Sequence, residues 1–223
     1  MEWKVKREIL PFIIIAFFII LSIYFYPALP EKIPSHFDAK GMPDKFSPKF
    51  QLMLGEFGSI IGLYLILTFI PLIDPFWKRI QKKYSLFLLF RDFALLFFLF
   101  FYILTIIAAK KGVLPPYVMG IAFGLLFILL GNYIPKLPRN FFFGIRSPWT
   151  LASDIVWKKT HIIGGWVFVV AGIVVVVLSF LKVHLGIVLL ITLAPGLLFV
   201  GILYPLFLYR KLQKEEKARE PEL

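Results

Sequence analysis

An all-α membrane bundle of six transmembrane helices is the fold that this sequence predicts, and three observations predict it. Apolar stretches lie near residues 9–26, 52–73, 86–109, 117–134, 162–181 and 185–209. At ~1.5 Å per residue each is long enough to cross a ~30 Å hydrocarbon layer. The chain is 60% hydrophobic, with 26 phenylalanines in 223 residues, more apolar surface than one soluble core of that size hides from water. The stretches also lack period-two alternation, which argues against a barrel, the other architecture that satisfies its backbone in lipid.

The first stretch follows Lys4, Lys6 and Arg7 and so resembles a signal peptide. Its length, and the bulky cluster Tyr24 to Pro30 where a cleavage site wants small residues, make it a retained span. The loop after it holds five prolines and one glycine between Pro27 and Pro48, which predicts an ordered, extended cap. In the second span, Glu56 is either protonated, or pairs with a loop lysine or His36, or reaches back to the interface. Arg91 and Asp92 fall in the third stretch, where a central charge costs ~2.5–3.5 kcal/mol and marks a site by default. The alternative reading makes residues 78–92 an interfacial helix, with the span beginning near Phe93. The pairs Gly58/Gly62 and Gly120/Gly124 predict close helix contacts, and Ala194-Pro195-Gly196 predicts a break in the sixth helix.

Basic residues near span ends stay in the cytoplasm. With the amino terminus inside, 17 Lys and Arg fall in cytoplasmic segments and seven outside, so both termini are expected in the cytoplasm. That placement accounts for the net charge of +12, leaving membrane lipids as the expected partner and no direct nucleic-acid contact. Zero cysteines exclude disulfides and thiolate sites. His36, Asp38 and Asp44 lack helical ligand spacing and His184 has no acidic neighbour, so no metal is expected. No phosphate loop, nucleophile elbow or dinucleotide fingerprint is present, so neither a cofactor nor enzymatic activity is expected.

The loop over residues 135–161 is too aromatic, too polar and too patterned for a connector. Ser153 is placed to cap a helix whose first turn holds Asp154 and which continues as the fifth span. Asp154, Trp157, Lys158 and His161 then share one helical face. Ahead of them Asn140, Arg146, Trp149 and Thr150 flank Gly144 and Pro148, which bend the chain back at the interface. Trp166 reads as an interfacial anchor; Trp149 and Trp157 read either as anchors or as part of a recognition site.

Two sets of residues carry a family resemblance. Leu29-Pro30, Ile33-Pro34, His36-Phe37, Gly41, Pro43-Asp44 and Phe46 resemble the domain of unknown function found at the amino terminus of SdpI-type proteins, with Asp38 where Asn is usual. Gly131-Asn132-Tyr133, Asn140, Gly144-Ile145-Arg146, Pro148-Trp149-Thr150-Leu151, Trp157 and Lys159-Thr160-His161, followed by Gly164-Gly165, resemble the SdpI family itself. Ser147 replaces a typical threonine and Ile162 a common basic residue. The resemblance implies a multi-pass protein of a prokaryotic cell membrane, with residues 1–73 (outer loop 27–51) and 74–223 (inner loop 135–161) as its two regions. It further implies immunity to a secreted toxin peptide met outside and signalling through a transcriptional repressor held inside.

Each half reads as a span, a Pro- and aromatic-rich loop and two more spans, the form of a 3+3 inverted repeat, so a small secondary transporter or exporter is the second reading. An intramembrane enzyme built on His161 and Arg146 is a third.

Overall fold

A computed structural model describes residues 5–38, 42–112, 114, 116–181 and 185–218. The signature residue Gly41 and His184 lie outside the described residues. The chain is 82% helical, and among the described residues six helical segments are long and apolar enough to cross a membrane. The protein is therefore a multi-pass helical membrane protein.

Two compact units divide the chain, one from Met1–Ile73 with Tyr84–Met119, the other from Asp74–Lys83 with Gly120–Leu223. The first unit holds α1 (Ile9–Phe25), a hairpin of β1 (Lys32–Phe37) and β2 (Pro43–Pro48), then α2 (Lys49–Phe69) and α4 (Tyr84–Lys111). Its core joins Ile14 and Phe18 of α1 to Ile60 of α2 and Leu95, Leu99 and Tyr102 of α4. Where the sequence predicts an extended cap, the two strands pair antiparallel with register shifts around His36. Phe37 seats the hairpin on Leu104, Ala108 and Leu114.

At the other end of this unit lies a buried polar network. Arg91 is fully buried, within Tyr84–Lys111, which runs as one unbroken helix. Its Nη1 donates to both oxygens of Glu8, at 2.9 and 3.2 Å, and to Thr68 Oγ1 at 3.1 Å. Its Nε donates to Asp92 at 2.9 Å and its Nη2 to the Arg7 carbonyl at 3.1 Å. The Tyr64 hydroxyl donates to Glu8 at 2.9 Å, and Tyr84 caps the Thr68 carbonyl at 2.6 Å. One guanidinium thus ties together the ends of three spans, using the fixed fork that suits arginine to buried pairs.

The second unit holds α3 (Trp77–Ile80), most of α5 (Pro116–Tyr133), α6 (Pro148–Ala152), α7 (Asp154–Phe180), α8 (Leu185–Leu198) and α9 (Tyr204–Lys217). α5 and α7 cross on two glycine pairs: a Cβ on Gly172 would lie 2.5 Å from the Gly124 carbonyl oxygen, and one on Gly131 2.6 Å from that of Gly165. The two pairs are spaced seven residues apart along both helices, on one face of each, and this is what lets the backbones touch. Gly58 and Gly62 make no such contact, since added Cβ atoms there would meet nothing within 4 Å. The sixth span continues helically through Pro195 and departs from α geometry a little later, in a π-turn over Phe199–Leu203 just before Pro205. A proline cannot donate to the preceding turn, so a widened turn beside it is the expected accommodation.

Candidate functional site

The signature loop of the second unit is built on residues that satisfy one another. Asn140 is fully buried. Its amide nitrogen donates to the carbonyls of Pro138 (2.9 Å) and Phe143 (3.0 Å), while its Oδ1 accepts the backbone N–H groups of Phe142 (3.1 Å) and Phe143 (2.6 Å). An asparagine side chain offers two donors and an acceptor with two lone pairs, and all are used. Asn140 therefore shapes the loop and leaves no group for a ligand.

Gly144 follows with φ +101°, a left-handed conformation that favours glycine, and a Cβ there would collide with the His161 ring. The turn aims the Ile145 N–H at His161 Nε2, 3.0 Å away, while Nδ1 lies 2.7 Å from the Trp157 carbonyl. Both contacts are satisfied when the proton sits on Nδ1 and Nε2 accepts. The imidazole stacks on the Trp157 indole at 3.9 Å between centroids, and Trp157 Nε1 donates to the Leu137 carbonyl at 3.0 Å. His161 and Trp157 are buried, and every polar ring atom is bonded inside the loop.

Ser147 and Thr150 form a capping box on the short α6, with Ser147 N–H donating to Thr150 Oγ1 at 2.8 Å and Thr150 N–H to Ser147 Oγ at 3.3 Å. Serine at 147 retains the hydroxyl that this cap needs. Ser153 caps α7 as expected, accepting from the Val156 N–H. The face drawn through Asp154, Trp157, Lys158 and His161 is divided in the structure, with Trp157 and His161 buried and Asp154 and Lys158 exposed.

Sequence reasoning missed the segment that braces this loop. Asp74, almost fully buried, accepts the Phe76 N–H at 2.7 Å through Oδ1 and the Phe141 N–H at 2.7 Å through Oδ2. Arg79 pairs with Asp154, and Arg139 places Nε 3.0 Å from the same carboxylate oxygen while its Nη1 donates to the Leu151 carbonyl. Both guanidinium groups lie over the Phe76 ring, at 5.8 and 5.1 Å from its centroid. The Asp74-Pro75 dipeptide was the available signal, since aspartate before proline initiates turns.

Arg146, Pro148 and Phe141 remain at the surface, with Trp149 half-buried beside them. Arg146 Nη1 donates to the Phe141 carbonyl at 2.8 Å, which anchors one arm of the guanidinium and leaves the other donors outward. Trp166 is also well exposed, as an anchor in lipid would be.

In the hairpin of the first unit, His36 Nδ1 and Asp44 Oδ1 lie 2.6 Å apart, and Asp38 Oδ1 accepts the Met42 N–H at 2.8 Å, a bond that the family's usual asparagine makes equally well. Pro43 opens β2, and no metal-binding group of three His, Cys, Asp or Glu exists among the described residues. Glu56 is half-buried; His36, one partner expected for it, is engaged by Asp44.

Comparison with known proteins finds matches to two stretches of the chain. The profile of the SdpI/YfhL protein family matches residues 136–208, the signature loop and the spans after it, and a domain of unknown function, DUF1648, matches residues 13–55, the first span and the hairpin. The chain is 28% identical to the immunity protein SdpI of Bacillus subtilis (strain 168) over 208 residues, 93% of this chain and 98% of that protein. No solved structure matches. Two profiles, in the order found in SdpI-type proteins, and an alignment that runs nearly end to end make this chain similar to SdpI-type multi-pass membrane proteins along almost its whole length.

Proposed function

We propose that this protein is a membrane immunity protein, which protects the cell that makes it from a secreted toxin peptide or a comparable envelope stress. The observation that carries this reading is the end-to-end similarity to a protein named for immunity. In this reading the hairpin faces outward and meets the toxin, and the signature loop faces the cytoplasm and holds a partner, a transcriptional repressor. The excess of Lys and Arg on the loop side supports that orientation. The loop's buried residues act as scaffold, while Arg146 and Trp149 present themselves to the partner. The π-turn in the sixth span favours the transport reading as the alternative.

The natural absence of cysteine makes orientation directly measurable. Ser35 and Ala152 are both exposed and neither caps a helix, unlike Ser153. A membrane-impermeant thiol reagent applied to intact cells is expected to label Ser35→Cys and to spare Ala152→Cys until the cells are opened. The reverse pattern overturns the assignment of toxin and partner to their sides. Protection of toxin-sensitive cells without substrate flux in proteoliposomes supports immunity; flux without protection favours transport.

A further inference from the structure

Glu56 lies seven residues into α2, about 10 Å below the hairpin end at ~1.5 Å per residue. It falls between the buried positions Met53 and Ile60 on one side and the Gly55, Ser59, Gly62 stripe on the other. Among the described residues no donor is directed to its carboxyl. The Ser22 hydroxyl donates to the Phe18 carbonyl at 2.8 Å, so the Tyr102 phenol proton goes to Ser22, 2.6 Å away. Ser59 donates to the Gly55 carbonyl at 2.8 Å, and Tyr64 donates to Glu8. The hydroxyls of Ser22, Ser59, Tyr64 and Tyr102 are thus committed elsewhere, yet a carboxyl at this depth needs a donor or an opposite charge. Beside it the helix surface is open: added Cβ atoms on Gly55, Gly58 and Gly62 would meet nothing within 4 Å. A backbone so bare admits another helix at close range.

We propose that Glu56 is the docking point for a cationic group, a lysine side chain or a free amino terminus, on an apolar peptide helix that enters the membrane from the hairpin side and packs along Gly55, Ser59 and Gly62. The inference rests on the immunity reading for the side from which the peptide comes. Charge complementarity selects this occupant. Lipid tails offer the carboxyl nothing, and a symmetric second copy would set a second Glu56 against the first.

The test uses the full chain, labelled at Ser35→Cys with a fluorescent donor and reconstituted in phosphatidylcholine vesicles. The probes are two acceptor-labelled Leu/Ala membrane helices that differ only in carrying lysine or norleucine in the outer third. Saturable energy transfer is expected for the lysine peptide, with affinity at least tenfold lower for the norleucine peptide and for the Glu56→Gln protein. Glu56→Asp is expected to retain part of the lysine preference, and Gly62→Leu to abolish binding with an unchanged melting temperature. Equal binding of both peptides, or no effect of Glu56→Gln, overturns the proposal. Transfer between differently labelled copies that Gly62→Leu removes also overturns it, by assigning the face to a second copy. A protein that protects cells but shows no lysine-dependent transfer refutes only the docking site; one that binds the peptide but protects no cell refutes only the immunity role.

Discussion

Replacing Arg91 with methionine is expected to destabilise the first unit by about 3–5 kcal/mol, the range for removing one partner of a buried ion pair. The reason is the imbalance left behind. Glu8 and Asp92, with side chains 6% and 13% exposed, would face each other without a cation, and Thr68 and the Arg7 carbonyl would lose their donor. Glu8→Gln should cost less, because Asp92 still neutralises the guanidinium. Adding Glu8→Gln and Asp92→Asn to the Arg91→Met protein should recover much of the loss, since no buried charge then remains. Thermal melts of the detergent-solubilised variants measure this. A wild-type melting temperature for Arg91→Met alone contradicts the network as described.

The second large effect concerns the crossing of α5 and α7. Gly172→Ala and Gly165→Ala each push a methyl group against a backbone carbonyl 2.5–2.6 Å away, which no rotamer change relieves. Each is expected to cost about 1–3 kcal/mol, the range for overpacking a filled contact. Gly58→Ala supplies the contrast: it meets open space within a helix, where alanine is favoured over glycine by roughly 0.5–1 kcal/mol. Equal melting temperatures for Gly172→Ala and Gly58→Ala would contradict the crossing.

The six spans were legible because lipid imposes one rule, about twenty apolar residues per crossing, and this chain obeys it six times. The cap at Ser153 was legible for a similar reason, since its signal is local. What stayed hidden depends on partners distant in sequence. Asp74 and Phe141 are 67 residues apart, and Glu8 and Arg91 are 83 apart. The counter-charge of Arg91 sits at the foot of another span, where no local pattern reveals it. Parity held the missing clue: the first and third spans run the same way, so an acid opening one lies level with an arginine two turns into the other. Gly58/Gly62 and Gly124 carry the same small-residue signal, and only the neighbouring helix tells the packed glycine from the open ones. In the signature loop the pattern located the site but did not separate its roles. Asn140, Thr150, Trp157 and His161 turn out to be inward-facing, while Arg146 keeps free donors at the surface beside a half-buried tryptophan.

That division of labour is the central claim, and survival of toxin-exposed sensitive cells expressing Arg146→Lys tests it most directly. Lysine keeps the charge but not the planar fork that lets one arm hold the Phe141 carbonyl while the others face a partner. Survival is expected to fall at least tenfold relative to wild type, at equal membrane abundance and with a melting temperature unchanged within error. Full survival with Arg146→Lys would contradict the claim that the signature loop is a rigid scaffold presenting a guanidinium for recognition.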